Sequence, residues 1–346
     1  MSRRTLTLLL ASLLAVGMTL VVAVAKVPYV ALAPGPTYNT LAKDETGKPV
    51  ISIVGRPTYT DAGHLNMTTI SVVPSLTLAQ ALRGWFQRDL AVVPRDVIFP
   101  PDQSDGEVRK LDAAAMRQSQ DSATSAALKE LGLGKVHVLV AKVEPAAPAA
   151  GRLQDGDELV AVDGTPVTDA RQLRSLIGKR EPGQPVRLTY ARGGRTAEVT
   201  LTTASSTDAD GNVRPVIGVQ TRERSESPVK VTISLADVGG PSAGLMFALG
   251  IYDKLDPGSL TDGRFIAGTG TIDASGLVGG IGGIQQKLIG ARDKGATVFL
   301  VPADNCREAL AAPPPGLRLI KVSTLKGALT DLGRLHTGAA TTACTK

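Results

Sequence analysis

The sequence predicts an α+β protein, with two folded units behind an N-terminal transmembrane helix. Three observations carry that prediction. An uncharged stretch runs from Thr5 to Ala25. Near Val136 the texture changes to short strands separated by Gly- and Asp-rich turns, and beyond a polar linker at 203–211 strands and helices alternate. A length of 346 residues exceeds one average domain and accommodates both units.

The anchor comes first. Arg3 and Arg4 precede the uncharged stretch and Lys26 closes it, giving 21 residues. About 20 apolar residues cross the hydrocarbon core, whereas a secretory signal has an apolar region of roughly 7–15. Length favours an uncleaved anchor over residues 1–26, although Ala23-Val24-Ala25 also matches the small-x-small pattern of a cleavage site. The basic pair before the span directs the N-terminus to the cytoplasm. Everything after Lys26 then lies outside the cell membrane. That compartment permits disulfides, so Cys306 and Cys344 either pair or stand as two thiols.

Composition excludes several function classes. The net charge of +6 is dispersed, and the few aromatics (3%) are not interleaved with basic residues, so no nucleic-acid surface is expected. The three histidines and two cysteines lack the spacing of a zinc site, and no calcium-loop pattern occurs. Neither a metal nor a cofactor is expected. Oligomeric state leaves no mark in the sequence.

Residues 27–131 follow the anchor. Ala33-Pro34-Gly35-Pro36 reads as an extended connector and Leu65 to Val73 as a strand. Leu76 to Arg88 reads as an amphipathic helix with Leu78, Leu82, Trp85 and Phe86 near one stripe. A polar stretch from Pro100 to Glu107 precedes a helical pattern from Leu111 to Leu131, which Gly132 stops.

From Val136 the pattern is strand, turn at 154–157, strand at 158–162, tight turn at Asp163-Gly164, and a short helix from Asp169 to Ile177. Leu173, Leu176 and Ile177 face inward on that helix. A hairpin at Gly193-Gly194 joins the last two strands. The GDELVAVDG core and the later PG…V.L…R.G pattern make residues 132–204 resemble a bacterial PDZ domain. The resemblance implies a groove in which an extended peptide adds as a strand. It puts the carboxylate-binding loop at Leu133, Gly134, Lys135 and Val136, where Lys135 replaces the usual apolar residue.

The chemistry-bearing segment is VGGPSAGLMFALGIYDKL, residues 238–255. Pro241 suits the first position of a helix, and Leu245, Met246, Leu249, Tyr252 and Leu255 follow at helical spacing. Ser242 is therefore expected in the first turn, where backbone N–H groups favour an oxyanion. The same position suits an ordinary cap. G-x-S-x-G is also the nucleophile elbow of α/β-hydrolase esterases, but that reading requires a downstream histidine, and the sequence offers only His336. A serine without histidine needs another base, and a desolvated lysine serves. Lys287 and Lys294 lie at similar angles on the helix after Gly282-Gly283, so periodicity leaves both open.

GPSAG, TGTI, GGIQQK and LIGARDKGATVFLVP occur in the order found in Lon-type serine peptidases, and residues 229–302 resemble that family's proteolytic domain. The resemblance implies a ribosomal protein S5 domain 2-like α+β fold over 205–336. It carries the nucleophile onto Ser242, the general base onto Lys287 and a supporting hydroxyl onto Thr269. Backbone N–H groups of Gly240, Ser242 and Ala243 become the oxyanion donors. Gly239 departs from the acidic residue common three positions before the nucleophile, with Asp237 the nearest acid in sequence. No GxxxxGK[ST] loop is present, so ATP is not an expected partner.

The whole resembles membrane-anchored, ATP-independent Lon-like peptidases with a PDZ domain. That resemblance implies a peptide or protein substrate and packing of residues 27–131 with the catalytic domain. Residues 337–346 read as a tail. A non-catalytic membrane adaptor on a degenerate peptidase fold is the competing reading.

Overall fold

A computed structural model describes residues 3–44, 46–100, 103–207, 211–235 and 238–345. In chain order the first elements are α1 (Arg3–Val24), β1 (Tyr29–Asn39), β2 (His64–Val73), α2 (Leu78–Trp85), β3 (Ala91–Pro94) and α3 (Asp105–Glu130). Next come β4 (Lys135–Val143), β5 (Glu158–Val162), α4 (Ala170–Gly178), β6 (Pro185–Arg192), β7 (Arg195–Thr202) and β8 (Val219–Glu226). The last are α5 (Gly244–Leu255), β9 (Phe265–Gly268), α6 (Ile284–Asp293), β10 (Val298–Pro302), β11 (Arg318–Val322) and α7 (Leu325–His336). Two compact units result. One comprises Met1–Ser52, Pro57–Ala123 and Val231–Lys346, the other Ile53–Arg56 and Thr124–Lys230.

α1 is long and apolar enough to cross a membrane, and its span is unburied by protein. The first unit's main sheet has the order β11-β10-β9-β2-β1-β3. β9 runs parallel to both β10 and β2, with Phe265 opposite His64 and Gly268 opposite Met67. β1 pairs antiparallel with β2 and with β3. Strands from before and after the second unit thus share one sheet, joined at β2–β9. Every residue of β10 (VFLVP) is buried, as expected of a central parallel strand covered on both faces. From Gly244 to Ile251 α5 is apolar all round, so this stretch is enclosed rather than half-exposed. Leu245, Met246, Phe247, Leu249 and Ile251 are fully buried, each worth roughly 1.5–3 kcal/mol of transfer free energy.

The C-terminal tail is fastened. Cys306 and Cys344 form a disulfide, the Lys321 N–H donates to the Thr342 carbonyl, and the Thr342 N–H donates to Asp331 Oδ1.

The second unit has an antiparallel sheet of order β7-β6-β5-β4-β8. Leu173, Leu176 and Ile177 of α4 pack over Val138, Val140, Leu159 and Leu188. Asp169 caps α4 by accepting from the Gln172 N–H at 2.8 Å. The sheet continues past the expected end at 204, because Val219–Glu226 pairs antiparallel along Val143–Lys135. Residues 208–210 of the linker lie outside the described residues.

Two helices of the first 131 residues differ from their sequence patterns. α3 begins at Asp105 instead of Leu111, because Ser104 and Glu107 cap each other: the Ser104 N–H donates to Glu107 Oε2 at 2.8 Å and the Glu107 N–H to Ser104 Oγ at 3.3 Å. α2 is shorter than Leu76–Arg88, with Thr77 and Gln80 forming its capping box. Its apolar stripe also faces the other way. Ala81 and Gly84 are buried, while Leu82, Trp85 and Phe86 are exposed. A Cβ on Gly84 would sit 2.7 Å from Val92 Cγ2, so the small face allows close approach to β3 and the large residues turn outward.

Candidate active site

Ser242 stands in the turn before α5, which begins at Gly244 with Ala243 at the N-cap; the expected start at Pro241 is three residues early. The reason is tertiary. Gly240 takes φ +81, and the Ser242 carbonyl accepts from the Gly270 N–H at 2.8 Å and from Thr269 Oγ1 at 3.0 Å. Ser119 of α3 fixes the other flank by donating to the Pro241 carbonyl at 2.9 Å. The serine is thereby held between the end of β9 and α3, with its side chain partly exposed.

Lys287 reaches the same point from α6. Its Nζ lies 2.8 Å from Ser242 Oγ and 2.9 Å from Thr269 Oγ1. The residue is 2% exposed, and burial lowers its pKa from 10.5 to about 7. The cause is desolvation, because burial penalises the ammonium form. Lys294, at the C-cap of α6, is exposed. The packing distinguishes the two lysines that helical periodicity leaves equivalent. An amine that is neutral near pH 7 and within hydrogen-bond reach of a hydroxyl can accept its proton.

The three expected oxyanion donors are not equivalent. The Gly240 N–H is already donated to the Asp112 carbonyl at 3.1 Å. Those of Ser242 and Ala243 have no hydrogen-bond partner among the described residues. Asp237 lies outside the described residues. Asp112 on α3 supplies a carboxylate that sequence proximity does not reveal: a Cβ on Gly239 would sit 2.9 Å from Asp112 Cβ, so Gly239 makes room for it. Ser242, Lys287, Gly239 and Asp112 line a cleft of about 660 Å³, whose apolar wall includes Phe99 and Met116. His336 instead bonds the Leu260 carbonyl at 3.0 Å through Nε2, so it does not complete an esterase triad.

In the second unit the expected carboxylate loop is spent on other bonds. The Leu133 and Gly134 N–H groups both donate to the Leu128 carbonyl, closing the end of α3. Lys135 and Val136 belong to β4, which β8 flanks on one side and β5 on the other. The open edge is that of β8, with α4 beside it. A cleft of about 1360 Å³ there is lined by Leu173, Ile177, Ile217, Gly218 and Val219. The sequence signal for it is the apolar-Gly-apolar run Ile217-Gly218-Val219, downstream of the PDZ-like stretch. Gly218 has φ +73, and a Cβ there would come within 2.0 Å of Ala147 Cβ.

Comparison with known proteins finds two domain families in the chain. Residues 108–203 match the PDZ domain family, and residues 218–330 match the Lon protease (S16) C-terminal proteolytic domain family. The chain carries a PDZ domain and a Lon C-terminal proteolytic domain. Lon protease 2 of Bacillus subtilis (strain 168) is 32% identical over 95 residues, which are 28% of this chain and 17% of that protein. Lon protease of Clostridium beijerinckii is 32% identical over 120 residues, 34% of this chain and 15% of that one. The solved PDZ domain of an SdrC-like protein from Listeria innocua is 27% identical, covering 25% of this chain and 92% of that one with a TM-score of 0.22. The chain spans less than a fifth of the length of the curated Lon relatives it matches. β8 falls in the segment matched to Lon, yet it pairs into the sheet of the PDZ unit.

Proposed function

We propose that this chain is a membrane-anchored serine endopeptidase that uses Ser242 and Lys287 as a dyad, without ATP, on polypeptide segments outside the cytoplasm. The observation that carries the reading is the 2.8 Å approach of a desolvated Lys287 amine to Ser242 Oγ within a cleft.

Neutral Lys287 takes the Ser242 proton as Oγ attacks a peptide carbonyl carbon. The N–H groups of Ser242 and Ala243, fixed by the turn, donate to the developing oxyanion. Lys287, now an ammonium, returns the proton to the departing amine, and the C–N bond breaks to leave an acyl-serine. Water then attacks that ester, its proton passing through Lys287, and releases the acid with Ser242 restored. Thr269 keeps Nζ on line. Its own proton goes to the Ser242 carbonyl, so its lone pair faces the lysine.

α1 serves as the anchor, with the basic residue Arg4 and its neighbour Arg3 on the cytoplasmic side. The edge of β8 beside α4 receives an extended peptide by strand addition. The substrate in this reading is a polypeptide segment that is already flexible enough to enter the cleft in extended form.

The test is labelling of the full chain by a serine-directed phosphonate, alongside Ser242→Ala and Lys287→Ala. Labelling of the parent protein alone is the expected result. Equal labelling of all three sinks the mechanism and favours a non-catalytic adaptor.

A further inference from the structure

An amphipathic helix normally turns its large apolar residues inward. α2 does the reverse. Its small residues Ala81 and Gly84 pack against the sheet, while Leu82, Trp85 and Phe86 are 41%, 56% and 89% exposed. Phe86 is the most exposed large apolar side chain among the described residues. These three residues form one stripe, since 85 and 86 lie three and four residues after 82. Trp85 is steadied by an edge contact with Tyr29, ring centroids 6.1 Å apart, so the stripe is a formed surface.

The place of α2 identifies what covers that stripe. The helix starts at the foot of α1: the Leu78 N–H donates to the Ala25 carbonyl at 2.9 Å, and Lys26-Val27 pairs antiparallel with Thr77-Leu76. α1 and α2 are in contact. An eight-residue helix is only about 12 Å long, so the whole stripe lies close to the point where α1 ends. Arg83 and Arg88 are exposed beside it. Tryptophan and cationic residues at the end of a membrane span are the composition of the bilayer–water interface.

We propose that α2 is a second membrane contact, with Leu82, Trp85 and Phe86 seated in the headgroup region of the lipid surface at the foot of α1. This rests on the reading of α1 as an anchor. The contact removes one rotational freedom from the first unit and sets its tilt against the bilayer, which a single span alone leaves free.

The chain contains one tryptophan, Trp85, so its own emission is the reporter. The full chain is reconstituted into phosphatidylcholine–phosphatidylglycerol vesicles, extracted with alkaline carbonate and floated, and its emission is measured with bromolipids and with acrylamide. The expected result is a chain that floats, with blue-shifted emission quenched more by lipids brominated near the headgroup than near the chain terminus. Leu82→Ser with Phe86→Ser should still float and still label at Ser242, while the emission shifts to the red and bromolipid quenching is lost. A floating chain whose Trp85 is reached by acrylamide and not by bromolipid overturns the second contact and leaves the anchor standing. Blue-shifted emission without bromolipid quenching means that protein covers the stripe, and this too overturns the inference. A chain that does not float overturns the anchor and the contact together.

Discussion

The cleft at Ser242 and the groove at β8 are both walled by apolar side chains, but they hold their polar atoms in opposite ways. In the cleft, Lys287 and Thr269 are 2% and 0% exposed and bonded to one another. In the groove, the polar atoms are the outer edge of β8, an end strand with no strand beyond it among the described residues. A lysine becomes a base at neutral pH only where water is withheld, because burial penalises the ammonium. A strand edge captures a peptide only where its N–H and C=O groups remain unpaired. The first region depends on enclosure and the second on incompleteness.

The largest effect tests the enclosed region. Lys287→Arg keeps a cation at the site, but a guanidinium does not deprotonate in this pH range. If Lys287 acts as a neutral base, Lys287→Arg should lose labelling and peptidase activity as completely as Lys287→Ala, by roughly 10⁴-fold or more. Activity retained with arginine would mean that the charge, not the proton, is what the cleft uses.

The two regions were unequally legible in the sequence. Ser242, Lys287 and Thr269 are legible together because three separated motifs stand in a known order, whereas the fold class is legible from the apolar N-terminal stretch and the spacing of strands and helices. Local physics alone left Ser242 a possible cap and Lys294 an equal rival; only the burial of one lysine and the exposure of the other separates them. The PDZ-like stretch is plain from its turns and strands, but the resemblance puts the carboxylate loop at Leu133–Val136, where the N–H groups of Leu133 and Gly134 close the end of α3. That misplacement has a physical source. The strand completing the sheet, β8, lies beyond a polar linker, and strand pairing between residues 135 and 226 leaves no local signature. α2 shows the same limit: the period announced its stripe without saying which face would meet the sheet.

A second difference is covalent. The described cysteines form a single bridge, Cys306–Cys344, which lies in the first unit and closes 38 residues of chain. Loop-closure entropy assigns such a bridge about 4 kcal/mol. Cys306→Ser with Cys344→Ser should therefore lower the melting temperature of the first unit by about 10 °C, with the melting of the PDZ unit unmoved. Mass mapping without reductant that finds both thiols free would remove the basis for this difference.

The groove can be damaged with the cleft intact. Gly218→Val places a side chain at φ +73 and against Ala147, a strain of about 1–3 kcal/mol. Capture of an extended peptide, read by fluorescence anisotropy, should fall, while phosphonate labelling of Ser242 persists. Equal loss of both would show that the two regions do not function separately.

The smallest effect is the most discriminating for the dyad. With the Lys287 pKa near 7, the neutral fraction grows as pH rises, so the labelling rate should climb through about pH 7 and level off above it. Thr269 bears on that midpoint in a direction that geometry fixes. Its hydroxyl proton is directed to the Ser242 carbonyl, so towards Lys287 it offers only a lone pair, which favours the ammonium. Thr269→Val preserves the buried shape and leaves the Ser242 carbonyl bonded to the Gly270 N–H. Losing an acceptor for a charged donor costs the ammonium on the order of 1–2 kcal/mol, so the midpoint should move down by about one pH unit. The plateau rate should also fall, because nothing then aims Nζ at Oγ. A purely structural threonine would lower stability with the midpoint unmoved, and an upward movement would mean that the hydroxyl donates to the lysine, reversing the proton order at the dyad.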